Sequence, residues 1–155
     1  MPAPRLPSPF RGSTLIEALV ALALTGLLAA GVLSLFHTAV HHLRAADRLD
    51  RARGAAETIA ARLDGVSFHR LPGYFSAAPD DREGILDTRD ASAPAAWHEL
   101  LEGLPDGRIE ARLEGLGAGG TSATFGTALG CRLRVRVSYL EAGRRRRVRL
   151  VWVRG

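Results

Sequence analysis

This chain of 155 residues contains one cysteine and no lysine. Cys131 is the only cysteine, so an intramolecular disulfide is excluded. It begins a strand-like run, which predicts a buried or unreactive thiol. All 21 basic residues are arginines. We interpret the absence of lysine as a reflection of genome composition and not as part of a mechanism.

Charge is absent from residues 18–36, a run of 19 residues. As a helix rising roughly 1.5 Å per residue, this run spans roughly 30 Å of hydrocarbon. Residues 1–12 carry two arginines and no acid, which predicts that they stay in the cytoplasm. An ordinary secretory signal is disfavoured, because the apolar run is long and no small-x-small cleavage site directly follows it. An uncleaved single-pass anchor is the simplest alternative.

One carboxylate, Glu17, stands at the front edge of the apolar run. A carboxylate at that depth in a membrane is costly unless a cation lies beside it. A new amino terminus, made by cutting the chain just upstream, would be such a cation. The position of Glu17 therefore indicates a role in pairing with another chain end.

The stretch Gly12-Ser13-Thr14-Leu15-Ile16-Glu17, followed by the apolar helix, resembles the type IV pilin family, which includes the pseudopilins of type II secretion. The resemblance implies that a prepilin peptidase cuts between Gly12 and Ser13 and methylates the new terminus. It also implies that Glu17, the fifth residue of the mature chain, serves assembly with other pilins. Ser13 departs from the family, whose first mature residue is usually Phe or Met.

The resemblance also implies a division of the chain and a location for each part. We expect a leader at 1–12, a transmembrane half-helix at 13–36 and a periplasmic head at 37–155. The protein is expected to cross the inner membrane once, with a cytoplasmic N-terminus, and to enter a pilus filament after assembly.

One long helix is predicted over residues 14–63. In its membrane half, Ala21, Thr25 and Ala29 follow Glu17 at four-residue steps and would let another helix approach closely. In its second half, apolar residues recur at helical spacing among Arg and Asp, which predicts one face packed on a sheet. That stripe consists of Val40, Leu43, Ala46, Leu49, Ala56, Ile59, Ala60 and Leu63.

Residues 66–106 are predicted to form a connecting region rich in turn formers. Within it, residues 92–101 indicate a short helix with Ser92 as its cap, Pro94 in its first turn and Trp97 anchoring it to the core. Acidic residues of this region lack the spacing of a calcium-binding loop, so a solvated acidic loop is predicted. These acids are Asp80, Asp81, Glu83, Asp87 and Asp90.

Period-two alternation predicts antiparallel strands near the C-terminus, with one face buried. The inward positions are Ile109, Ala111, Leu113, Leu133, Val135, Val137, Tyr139, Val148, Leu150 and Trp152. A turn is predicted at residues 141–143. The predicted fold class is therefore α+β, a long N-terminal helix packed on a small antiparallel sheet, which is also the architecture of pilins.

The arginines of the two last strands are the one functional surface that the head suggests. Arg132, Arg134 and Arg136 share one face, as do Arg145, Arg147 and Arg149. A basic face can bind phosphate backbones by charge, or it can meet the acidic region of a neighbouring subunit. No aromatic residue interleaves these arginines, so base stacking is unsupported.

No persuasive catalytic set occurs, and we do not predict an enzyme, a cofactor or a small-molecule substrate. His37 and His41 have a metal-compatible spacing, but the accompanying Glu and third ligand of a known motif are missing. Interfacial histidines are the better interpretation, so no metal is predicted. The glycine cluster at 115–120 lacks the lysine of a phosphate-binding loop.

A weaker resemblance concerns the subtype. Trp97, the turn Leu104-Pro105-Asp106-Gly107 and the ending Val151-Trp152-Val153 look like the PilV type of minor pilin. The I-type pseudopilin of type II secretion is also similar at this level. We predict a minor pilin that acts in priming or at the tip of a type IV pilus. The alternatives are that pseudopilin and, from another class, a membrane-tethered DNA-binding pilin.

Overall fold

The computed structural model describes residues 14–90 and 93–155. The chain divides into two compact units, Met1–Arg44 and Ala45–Gly155. We call the second unit the sheet domain. Helix α1 runs over Thr14–Asp64, which confirms the long helix predicted from the sequence. Its last turn is followed by Gly65, whose N–H donates to the Ala61 carbonyl at 3.2 Å.

Four short helical segments follow α1 in the sheet domain. They are a 3-10 turn at Phe68–Arg70, helix α2 at Leu71–Tyr74, helix α3 at Ala95–Glu99 and a 3-10 turn at Ala118–Gly120. Helix α3 is shorter than predicted. Pro94 occupies its cap position with an extended ψ of 135°, so the helical backbone begins only after it. The predicted cap, Ser92, lies outside the described residues.

The sheet has four antiparallel strands in the order β1-β2-β3-β4. Their bounds are Glu83–Asp87 for β1, Arg108–Leu116 for β2, Gly130–Glu141 for β3 and Arg144–Arg154 for β4. The α+β prediction is confirmed. Strand β1 was not predicted from the sequence. Its five residues include a glycine and have a charged residue at each end, and these residue types are uncommon in strands. It gains its strand structure by pairing with β2.

A tight hairpin joins β3 to β4, as the predicted turn requires. Ala142 and Gly143 form its loop with φ of 47° and 75°, and Glu141 pairs with Arg144. Two left-handed residues in succession are the signature of a type I′ turn, whose twist matches that of the strands. The turn therefore sets the register of β4 against β3.

The core of the sheet domain lies between the inner face of the sheet and the C-terminal part of α1. Ile109, Ala111, Leu113, Val135 and Val137 are buried as predicted, and Trp97 of α3 closes the same cluster. Val148, Leu150 and Trp152 are only partly buried, because β4 is an edge strand. From α1 come Ala52, Ala55, Ala56, Ile59 and Leu63.

The predicted apolar stripe of α1 is wrong in its first half. Leu43 is 70% exposed, Val40 is 40% exposed and Leu49 is 38% exposed, and Ala46 is exposed as well. Successive steps of three residues drift around a helix by about 60° each, so residues 40–49 do not keep to one face. Burial begins further along, at Ala52.

Candidate functional site

Glu17 lies in the first turn of α1 and is exposed. A carboxylate there interacts favourably with the positive end of the helix dipole. The described part of the chain holds no salt bridge to it. Gly12 and Ser13, the predicted processing site, lie outside the described residues.

The apolar half of α1 is uncovered along its length. Leu15, Leu22, Leu27 and Leu33 each expose more than 70% of their surface. Helix Leu15–Asp64 is long and apolar enough to cross a membrane, and none of its most apolar window is buried. Such a surface requires lipid or other apolar helices as its surroundings.

The small-residue stripe that follows Glu17 carries one polar side chain, Thr25. Its hydroxyl donates to the Ala21 carbonyl at 2.7 Å. The hydroxyl is thus satisfied within its own helix, and this stretch presents no unpaired donor to a neighbour. Its surface favours close packing over hydrogen bonding between helices.

Residues 8–33 match the family model of the prokaryotic N-terminal methylation motif. This match supports a type IV pilin-like or pseudopilin protein. The match includes Gly12, Ser13 and Glu17 and most of the apolar run. No curated protein and no solved structure matches the chain.

The motif indicates the general character of the protein. It points to a structural subunit and not to an enzyme family. It also indicates interaction with other pilins and processing by a prepilin peptidase. With the apolar helix, it indicates membrane anchoring and association with a pilus or secretion filament. Because the match ends at residue 33, it does not extend into the sheet domain.

The predicted arginines do share the outer face of the sheet, but they share it with glutamates of β2. Glu114 accepts from Arg132 and from Arg134, at 3.2 Å in each case. Glu110 stands directly opposite Arg136 in the strand register and lies 3.6 Å from its guanidinium. The outer face is therefore a set of charge pairs and not a purely basic strip.

Glu110 is the centre of these pairs. Its side chain is 12% exposed, and its Oε1 accepts from Arg112 Nε at 2.6 Å. This hydrogen bond raises the pKa of Arg112. Arg108 lies at 3.9 Å on the other side. One carboxylate thus offsets charge on three strand arginines, which lowers the positive potential of the face.

The predicted solvated acidic loop is wrong for Asp87. This residue ends β1, is buried, and forms a salt bridge with Arg108. Arg108 Nε lies 2.9 Å from both carboxylate oxygens, and the Arg89 N–H donates to Oδ1 at 3.1 Å. The hydrogen bond from Arg108 holds the pKa of Asp87 below its usual value, although burial opposes it. The sequence did not predict this pair, because its two residues are 21 positions apart and no local pattern links them.

The arginines of β4 are less compensated. Arg145 pairs with Asp106, whereas Arg147 and Arg149 are exposed and have no salt bridge within residues 14–90 and 93–155. A shallow groove of about 320 Å³ lies beside Arg145 and Arg147. Its lining is Arg89, Arg108, Glu110, Arg136, Ser138, Arg145 and Arg147. The excess positive charge of the outer face is thus concentrated toward β4.

The remaining candidates are two histidines of α1 and the cysteine of β3. His37 and His41 pack edge to face with ring centroids 4.6 Å apart, and no cluster of three metal-ligating side chains occurs in the described part of the chain. Cys131 is buried, as predicted, and burial raises the pKa of its thiol. A thiol in this state is a weak nucleophile.

Proposed function

We propose that this protein is a minor pilin of the PilV type, which acts in priming or at the tip of a type IV pilus. The observation that supports the proposal best is Glu17, an exposed carboxylate in the first turn of an uncovered apolar helix. In a membrane, such a carboxylate needs a cation at its own depth. The methylated amino terminus of a neighbouring pilin would supply it.

The PilV subtype is proposed from the resemblance that includes the turn at residues 104–107. Leu104 is buried, and the Pro105 carbonyl accepts from the Leu140 N–H at 2.8 Å. The segment that contains Trp97 is therefore linked to strand β3 by the hydrogen bond at this turn. The same layout would serve an I-type pseudopilin, which stays the alternative within the family.

The DNA-binding alternative has less support. The glutamates Glu110 and Glu114 interrupt the basic face and pair with its central arginines. On the outer face, Arg147 and Arg149 of β4 have no salt bridge within residues 14–90 and 93–155 and could contact a phosphate backbone. A salt-dependent DNA-binding assay on the purified protein would detect such use.

The first prediction concerns processing. The membrane-extracted protein should begin at Ser13 and carry an N-methyl group, because the resemblance to pilins implies that a prepilin peptidase cuts after Gly12 and methylates the new terminus. Mass spectrometry of the intact chain measures this directly. Gly12→Leu should retain all of residues 1–12, whereas Gly26→Leu, a glycine within the helix with open space around it, should be cut normally. Residues 1–12 still present on the wild-type chain, in cells with an active peptidase, would refute processing.

The second prediction concerns Glu17. Glu17→Leu should insert normally, because it removes a charge from lipid, yet recovery with partner pilins should fall about tenfold or more for the lost pairing. The measurement is co-purification of other pilins after cross-linking in membranes. Glu57→Leu, an exposed glutamate in the same helix, is the matched control. Equal recovery with Glu17→Leu and wild type would contradict the assembly role. The identity of the recovered proteins distinguishes a pilus from a secretion machine.

A further inference from the structure

Strand β4 is a long sheet edge that pairs on one side only. It spans eleven residues, Arg144–Arg154, and bonds to β3. Within residues 14–90 and 93–155, no other strand pairs with it. A row of free N–H and C=O groups on such an edge is a template for another extended chain.

The hairpin identifies the residues that carry these free groups. In a two-residue hairpin the closing pair, here Glu141 and Arg144, exchanges hydrogen bonds, and the pattern then alternates along the strands. The Leu140 N–H agrees with this alternation, since it points away from β4 and donates to Pro105. The edge-facing residues of β4 are therefore Arg145, Arg147, Arg149, Val151 and Val153.

The side chains of these five residues divide the edge into two halves. Its first half presents exposed arginines on the outer face, whereas Val151 and Val153 in the second half are 46% and 61% exposed. Soluble proteins protect long edges with charge, proline or cover. Here the charge protects the first half only, and the second half contains no proline.

We infer that β4 accepts an extended segment of another protein, acidic along Arg145–Arg149 and β-branched along Val151–Val153. A second copy of β4 is disfavoured as the occupant. Each β4 carries six arginines and no acid, so two paired copies would bring twelve positive charges together. An acidic segment would instead complement the uncompensated arginines Arg147 and Arg149. Because β4 lies in the sheet domain, this pairing does not depend on the role of Glu17.

The test uses the full-length protein in detergent and a labelled peptide of eleven residues. The peptide carries glutamates opposite the three edge-facing arginines, valines opposite Val151 and Val153, and threonine elsewhere. A control peptide has the same side chains but N-methyl groups on the amides that face β4. Fluorescence anisotropy should show the methylated peptide binding at least about tenfold more weakly, because charge is unchanged and only backbone pairing is lost.

Two variants of the protein sharpen the test. Val151→Pro removes an edge-facing N–H without breaking the ladder to β3, so binding should fall at least about tenfold while Trp fluorescence shows an intact fold. Val151→Thr keeps the N–H and should bind within about twofold of wild type. Hydrogen exchange should show new protection at Arg147, Arg149 and Val151 on peptide binding.

The outcomes separate three kinds of interaction. Selective binding of the unmethylated peptide, lost in Val151→Pro, supports strand addition. Equal binding of the two peptides would overturn it, because charge attraction alone would then explain the affinity. Absence of binding would overturn it as well. A dimer of the protein without peptide, dissolved by Val151→Pro, would overturn the acidic partner in favour of a second copy.

Discussion

At the scale of single residues, the Asp87–Arg108 pair shows how a buried carboxylate of the sheet domain is stabilised. Asp87 has a side chain that is 9% exposed, and Arg108 covers it with a side chain that is 32% exposed. The carboxylate also accepts from the Arg89 backbone at the end of β1. A buried carboxylate is stabilising only while these donors are in place.

The third prediction follows from this pair. Asp87→Asn should lower the free energy of unfolding at pH 7 by about 1–3 kcal/mol, since it removes a charged hydrogen bond and leaves Arg108 with only the more distant carboxylate of Glu110, at 3.9 Å. Urea unfolding followed by Trp fluorescence measures the change. Asp80 is an exposed acid in the same connecting region. Asp80→Asn should change the free energy of unfolding by less than about 0.5 kcal/mol.

The pH dependence of this difference has a defined sign. Arg108 lowers the pKa of Asp87 below its ordinary value of 3.8. The stabilisation is therefore complete above that pH and is lost as the pH falls through the folded-state pKa. Wild type and Asp87→Asn should converge in stability on acidification below about pH 4. A difference that stays constant between pH 7 and pH 3 would show that the pair acts through packing alone.

At the scale of elements, the two halves of α1 differ in composition and in what surrounds them. Up to Phe36 it presents leucines to its surroundings on every side, whereas beyond Ala45 it turns a row of alanines and Ile59 toward the sheet. Alanine side chains let the helix backbone lie close to the strands, and the sheet supplies the larger side chains. The sheet-facing stripe is thus narrow, which explains why the spacing of leucines was a poor guide to it.

The fourth prediction concerns the buried face of α1. Ile59→Asp should unfold the sheet domain, because Ile59 is fully buried and the change forces an unpaired charge into the core at a cost of about 4 kcal/mol or more. Leu49→Asp should cost clearly less, since Leu49 retains 38% of its exposure. Chemical unfolding of both variants in detergent provides the comparison. Equal losses at the two positions would contradict the burial boundary at Ala52.

At the scale of the whole molecule, only the second compact unit contains the apolar core cluster. The apolar core cluster begins at Ala52 and ends at Trp152, entirely within Ala45–Gly155. The opposed charges of the connecting region and the strands are also paired inside this unit. Examples are Asp106 with Arg145 and Glu83 with Arg112. Attraction between neighbouring subunits therefore has fewer free acids to use than the composition suggests.

The fifth prediction is that the sheet domain folds without the first unit. A chain of Ala45–Gly155 should be soluble and unfold cooperatively, because it contains every residue of the core cluster. Removing residues 1–64 instead should abolish folding, since Ala52, Ile59 and Leu63 are then lost. Circular dichroism and thermal unfolding distinguish the two. Aggregation of both chains alike would show that the first unit is required for folding.

Sequence alone determined the features that depend on neighbouring positions. The apolar run, the place of Glu17 within it, the long helix and the period-two strands all follow from local spacing, and so did the hairpin at residues 141–143. Tertiary structure decided the features that join distant residues. Strand β1 forms because it pairs with β2 through backbone hydrogen bonds. Asp87 can be buried because Arg108 forms a salt bridge with it. The same register sets Glu110 against Arg136, so the outer face is paired and not simply basic. No local pattern encodes these contacts, because register and burial depend on where the whole chain places its strands.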